Sequence, residues 1–282
     1  MASILGTGSS GIVSVYEPDT NFVLKGPEVW HKGRCERRYD PVEDSIAALA
    51  IEDSVYRRLG SHAHILKYDG KVSIAEDRFS LKLERAEGDL RGLILKCTAP
   101  DEQIRLKIAV HISSGMAHIH SKNVFHCDFS CRNVFVFENW LVKIGDFGGS
   151  KIDNQEPLGA EEVRYELPLR GRVWEARDYT KRELFALGCA IYEIMAWKKP
   201  FAELTEAETE KNYANEVFPN TDKLLVGDVI RACWREEFES AKDVERALGE
   251  RLTVSGDMAS PSLTWSLLGI LKRWAYILWP AR

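Results

Sequence analysis

The chain has 282 residues and a formal net charge of -5, from 38 lysines and arginines against 43 aspartates and glutamates. Hydrophobic residues make up 45% and charged residues 29%, ordinary for a soluble globular protein with a sizeable core. That balance argues against nucleic acid as a partner, which needs a concentrated basic face. The six cysteines show no paired CxxC spacing, so neither a zinc site nor a disulfide framework is expected, and free thiols fit a reducing compartment, cytoplasmic or nuclear.

The N-terminal stretch MASILGTGSSGIVSVY lacks a basic start and a continuous apolar run, so it does not read as a signal peptide. Ile12–Tyr16 is rich in β-branched residues, Pro18-Asp19-Thr20-Asn21 is a turn cluster, and Phe22–Lys25 is a second short strand. Together they predict an antiparallel hairpin. Asp44–Leu59 predicts a helix with an apolar face of Ile46, Leu49, Ala50, Val55 and Leu59, stopped by Gly60. Phe79–Leu83 reads as another strand. Beyond about Gly88 the pattern turns helical. Pro100-Asp101 opens a helix over Asp101–Ser121, Asn123–Phe137 and Leu141–Ile144 are short and β-rich, and Arg182–Trp197 is apolar enough for a buried helix. Gly227–Phe238 and Ser240–Leu248 are further helices. Thr253–Ser262 is a polar spacer before an apolar tail, Leu263–Trp279, interrupted by Lys272 and Arg273.

Two motifs carry chemistry. The first is Gly6-Thr7-Gly8-Ser9-Ser10-Gly11-Ile12-Val13, a GxGxxGxV pattern. A dinucleotide-binding turn would need a helix after it, and a Walker A loop would need Gly-Lys-Ser/Thr; here a β-branched strand follows. What remains is a hairpin whose glycines let backbone amides approach phosphates, or an ordinary Gly/Ser turn. The second is His126-Cys127-Asp128-Phe129-Ser130-Cys131-Arg132-Asn133, an HxDxxxxN pattern, followed by Asp146-Phe147-Gly148. Phosphoryl transfer needs a carboxylate to orient the attacking hydroxyl and oxygen ligands for magnesium on a triphosphate. Asp128 fits the first role; Asn133 and Asp146 fit the second. A lone Asp would more often be a cap or a turn residue, but two acids and an Asn in this order after a glycine loop resist that reading.

These residues resemble the eukaryotic protein kinase family over about residues 3–250. The resemblance implies an α+β, two-lobed fold: a small β-rich lobe over about 1–83, a hinge over about 84–89, and a helical lobe over about 90–250, followed by spacer and tail over 251–282. It implies ATP and magnesium as cofactors and a protein as substrate. Lys25 matches the strand lysine that holds the α- and β-phosphates, and Glu52 the helix acid that pairs with it. Leu83 matches the gatekeeper, and Glu84–Ala86 would carry the backbone groups facing adenine. Val13 and Val23 would cover adenine from above, with Phe135 beneath. Phe185–Cys189 and Cys233-Trp234 resemble segments of the helical lobe.

The sequence also departs from the family. Cys127 stands where many kinases have the Arg that reads an activation-segment phosphate, and that segment, Asp146 to about Leu169, holds only Ser150 and Tyr165 as hydroxyl residues. Reader and mark are missing together, which predicts activity independent of such phosphorylation. Ser130 replaces the usual serine/threonine-kinase Lys, and Arg132 sits where tyrosine kinases carry Arg; Glu162 falls near a usual threonine. The acceptor residue stays open. Leu169 replaces the Glu that ends the segment, and its partner Arg is absent near Ser240-Ala241, a paired loss that reads as repacking. Glu183 replaces an Asp and lengthens its reach. An active protein kinase is the first reading; a pseudokinase acting as a nucleotide-binding or interaction module and a small-molecule kinase are the others. Tryptophans and two basic residues in the tail fit an interfacial helix on a membrane surface, and docking on the helical lobe fits as well.

Overall fold

The computed structural model describes residues 3–8, 11–31, 34–39, 42–75 and 78–256, so the tail Leu263–Trp279 lies outside the described residues. The chain opens with β1 (Ile4–Gly8), β2 (Gly11–Val15) and β3 (Phe22–Gly26). The expected hairpin is β2–β3, antiparallel, with Val13 opposite Lys25 and Val15 opposite Val23. Its turn is fixed by the Asp19 carboxylate, which accepts from the Asn21 backbone and side-chain amides at 3.1 and 2.9 Å. A second hairpin, β4 (Glu28–His31) with β5 (Arg34–Arg38), follows. Then come α1 (Val42–Leu59), β6 (Tyr68–Ala75) and β7 (Arg78–Glu84). The sheet order is β1-β2-β3-β7-β6. Leu49, Val55, Tyr56 and Leu59 of α1 are buried in the core that includes Leu81 and Leu83 of β7.

The second lobe is mostly helical. It contains β8 (Gly88–Asp89), α2 (Leu90–Lys96), α3 (Glu102–Ser121), β9 (Val124–Phe125), β10 (Val134–Val136), β11 (Val142–Ile144) and β12 (Lys151–Ile152). After these come α4 (Tyr179–Ala196), α5 (Glu206–Ala214), α6 (Gly227–Trp234) and α7 (Ala241–Gly256). Residues 182–195 of α4 are buried without a break, so α4 is the central helix of this lobe, packed by α3 and α6. It starts before the apolar run, because the Asp178 carboxylate caps it by accepting from the Lys181 amide at 3.1 Å. Trp197, at φ +53°, ends it. Gly188 lets α6 approach closely: a Cβ there would lie 2.6 Å from the Cys233 Cβ. α6 stops at Trp234, short of Phe238, where Glu236 takes a φ of +59°. α7 continues through Gly256, so the first residues of the stretch read as a polar spacer are helical. The architecture is the two-lobed α+β fold. β8, β10 and β11 form a small sheet, and β9 pairs with β12.

Candidate active site

The glycine loop closes the β1–β2 hairpin, with Gly6 opposite Val13 and Gly8 opposite Gly11. Gly11 sits at φ +134°, and a Cβ on it would lie 2.5 Å from the Gly26 carbonyl oxygen and 2.9 Å from the Ser45 hydroxyl. Both the conformation and the space therefore require glycine here.

β3 delivers Lys25 and α1 delivers Glu52, and both are buried. The Lys25 ammonium donates to Glu52 Oε2 and to Asp146 Oδ1, at 2.6 Å each. Burial would lower its pKa, but Asp146 and then Glu52 outweigh burial and hold it raised, so Lys25 stays charged. Asp146 adopts φ +64°, a left-handed conformation that Asp tolerates better than most residues. The next side chain, Phe147, is fully buried and meets Tyr56 edge-on at 5.0 Å; Tyr56 stacks on Tyr68 at 5.2 Å, and His126 packs against Phe147 at 5.1 Å. This column of four rings ties β6 and α1 to the loop below, and so fixes the helix that carries Glu52 over Asp146.

That loop, residues 126–133, is held by backbone contacts. His126 Nε2 lies 3.1 Å from the Gly145 carbonyl, and the Asn133 side-chain amide donates to the Asp128 carbonyl at 2.7 Å. Cys127 takes φ +61°, and its N–H donates to Glu183 Oε1 at 2.7 Å while His120 Nε2 lies 2.7 Å from the other oxygen. The longer reach of Glu183 thus ends on the loop backbone. Arg132 Nη2 lies 3.2 Å from Asp128 Oδ1. Burial pushes Asp128 up to about 6, with Arg132 and His126 pulling the other way. Burial also pushes the Cys127 thiol well up, so it stays protonated and inert.

Among the residues that the resemblance sets around adenine, sheet register places Val23 of β3 opposite Leu83 of β7, and Phe135 lies on β10 opposite Lys143. Val23, Leu83 and Phe135 are buried, while Val13 and Ala86 are partly buried and packed against the core. The Glu84 carboxylate accepts from Lys143 at 2.6 and 2.8 Å, and its backbone N–H donates to the Lys67 carbonyl at 3.0 Å.

The segment after Asp146 is anchored by carboxylates. Arg182 pairs with Glu161 at 2.7 Å, and Arg91 of α2 sits between Glu193 of α4 and Glu162. Ser150 is buried and donates to the His126 carbonyl at 3.2 Å; Tyr165 is fully buried and donates to Glu193 Oε2 at 2.6 Å. Past the segment, Leu169 is exposed, and the residues that follow it carry charge. The next residue, Arg170, donates to the Glu236 carboxylate and to the Trp234 carbonyl, and Arg172 pairs with the same Glu236 at 2.8 Å. Both cations follow the segment, and the anion lies just after α6. Arg91 and Glu193 escaped sequence reasoning; Asp89 as a helix cap just before Arg91 was the one local cue.

The protein kinase domain family model matches residues 2–252. The chain is 27% identical over 215 residues to a probable serine/threonine-protein kinase nek2 of Dictyostelium discoideum, covering 72% of this chain and 50% of that protein. It is 34% identical over 104 residues to the serine/threonine-protein kinase Nek3 of Mus musculus, covering 36% and 20%. It is also 28% identical over 200 residues to the high affinity nerve growth factor receptor of Gallus gallus, covering 62% and 26%. The chain therefore spans half or less of the curated relatives it matches. A family match over nearly the whole described chain joins the two lobes and the Lys25–Glu52–Asp146 cluster: the chain belongs to the eukaryotic protein kinase family.

Proposed function

We infer that the chain uses magnesium and ATP to phosphorylate a hydroxyl on a protein, serine, threonine or tyrosine. The observation that carries this reading is the charged Lys25 held between Glu52 and Asp146, with Asp128 and Asn133 on the adjoining loop. This donor set suits the groups it would hold: one buried cation for phosphate oxygens, and a carboxylate with an amide oxygen for a hard divalent ion. ATP and magnesium supply the transferable phosphoryl group and neutralise its charge. Lys25 holds the α- and β-phosphates, and Glu52 keeps its ammonium in place. Asp146 and Asn133 hold the metal. Asp128 accepts the hydrogen bond of the incoming hydroxyl, orients it and takes up its proton; Arg132 steadies that carboxylate. The Gly6, Gly8 and Gly11 loop covers the phosphates, and Val13, Val23, Leu83, the Glu84–Ala86 backbone and Phe135 enclose adenine.

The test is phosphate transfer from labelled ATP to an unbiased peptide array. Wild type is expected to label peptides, and Asp128→Asn to lose transfer while keeping Mg-ATP binding, because it removes the hydroxyl-orienting carboxylate alone. Wild type that binds Mg-ATP and labels neither peptides nor itself would instead make the chain a nucleotide-binding interaction module. The family assignment leaves the place of action open, and cytoplasm or nucleus is the reading carried by composition. No described helix is long and apolar enough to cross a membrane. Surface association through Leu263–Trp279 is tested by liposome co-sedimentation against a chain ending at Ser262; equal recovery of both in the soluble fraction would overturn it.

A further inference from the structure

Five side chains form a row of alternating charge that ends on the proposed base. Glu193, fully buried on α4, accepts from Arg91 Nε and Nη2 at 2.9 Å each. Arg91 is itself only 4% exposed, and its third nitrogen, Nη1, donates to both Glu162 oxygens at 2.6 and 2.9 Å. Glu162 Oε1 lies 3.4 Å from Arg132 Nε, and Arg132 Nη2 lies 3.2 Å from Asp128 Oδ1. Arg132 Nε also donates to the Ser130 hydroxyl at 3.3 Å. The three interior charges, Arg91, Glu162 and Arg132, thus each face an opposite one on both sides.

A long guanidinium side chain touching one carboxylate keeps much of its rotamer freedom, and it would follow that carboxylate wherever it moved. Arg132 is different, because a second anion, Glu162, pairs with it 3.4 Å from Nε, beside the Ser130 hydroxyl that accepts from the same Nε. That anion cannot drift either: Arg91 clamps it, and Arg91 is locked to the central helix by two parallel bonds with Tyr165 closing the same Glu193. Rigidity passes from the core of the lobe to the reacting carboxylate through charge-assisted contacts alone. Glu162 belongs to the segment and Arg132 to the loop, so the row also couples the placement of one to the other.

We propose that Glu162 is a positioning residue for phosphoryl transfer: it holds Arg132, and through Arg132 it aims Asp128 at the acceptor hydroxyl. The proposal rests on the reading of Asp128 as the base. Its consequence is selective. Glu162 touches none of the groups assigned to ATP, so its removal lowers turnover and spares nucleotide affinity.

The experiment compares Glu162→Gln, Glu162→Asp, Arg132→Ala and the double variant Glu162→Gln/Arg132→Ala, using a peptide taken from the array. Glu162→Gln is expected to lower kcat roughly 10- to 100-fold with KM for ATP unchanged, the scale of a small misplacement of a reacting group. Glu162→Asp restores part of the loss. In the Arg132→Ala background, Glu162→Gln has no further effect, because its action runs through Arg132. Equal losses in both backgrounds, an unchanged kcat, or a rise in KM for ATP that accounts for the whole effect would overturn the proposal. The same samples give a readout that needs no turnover: the Arg132 Nε–H nitrogen resonance, slow to exchange in wild type, becomes fast in Glu162→Gln and slows again in Glu162→Asp. A wild type without transfer would refute the kinase reading through its own assay, while an Arg132 resonance indifferent to Glu162→Gln would refute the positioning role alone.

Discussion

Asp128 sits among groups that both raise and lower its affinity for a proton, and burial wins, moving it up to about 6. A base must be unprotonated to accept the hydroxyl proton, so kcat/KM is expected to climb with pH through that value and level off above it. Initial rates across pH 5 to 8 check this; a profile flat to pH 5 contradicts it. Lys25 gives a second outcome. Lys25→Met removes the phosphate contact and strands Glu52, fully buried, without its cation. Transfer is lost, and stability falls by about 3–5 kcal/mol, the scale for breaking a buried pair from one side, as read by urea unfolding. Asp128, Asn133 and Asp146 were legible because each stands at a fixed offset in a motif, whereas Lys25 and Glu52 were named only through the family resemblance. The clamp on Glu162 was not: Arg91 lies 71 positions from Glu162 and 102 from Glu193, and nothing in a linear pattern marks such pairs.

Elements with a clean apolar period were readable, and those without were not. α1, α3 and α4 carry such a period and lie within a few residues of where the pattern puts them. β5 reads Arg-Cys-Glu-Arg-Arg and is exposed throughout, so it shows no alternation. α5 is strongly polar, and its signal was the Thr205–Glu208 capping box, a start cue rather than a period. The junction of the α1–β6 loop with α3 has a chemical signature of its own. His62 stacks on His118 at 4.3 Å and His64 on His111 at 4.2 Å. Burial, then the neighbouring His64, push His111 down to about 4, and burial also lowers His62 and His64. Glu245 of α7 counters this at His62 and His64, whereas Lys143 adds to it at His64 and Lys107 at His111. Lowered folded values mean that the unfolded chain binds protons first. Stability is therefore intact above 6.5 and declines as pH falls from there towards 4. Urea midpoints at pH 7 and pH 5 should differ by more in wild type than in His111→Phe; an equal difference would refute this origin.

At the scale of the whole molecule, the lobes are joined where Lys25 reaches Asp146 and where the column from Tyr68 to His126 crosses between them. The segment that follows carries its own negative charges, Glu161 and Glu162, each already seated on an arginine. Its two hydroxyl residues, Ser150 and Tyr165, are buried and hydrogen-bonded. The expected outcome is that phosphatase treatment leaves activity unchanged, measured on the purified chain against a mock-treated control. A large loss reversed by rephosphorylation at either residue would contradict it.

The row from Glu193 to Asp128 also bears on the order of assembly. Arg91 enters its place early in the chain, on α2, yet both of its partners arrive much later, one of them on the helix at the centre of the lobe. Until α4 has packed, Arg91 and Glu193 keep their water, and stripping it from one without the other is unfavourable. Their joint dehydration must therefore come late, after a long stretch of chain has closed on itself, and long-range closure is slow. A newly made chain can hold its sheet, its α1 and its glycine loop before that moment, but not an aimed Asp128. The placement of Asp128 is then expected to come late in folding and to be lost early when α4 loosens.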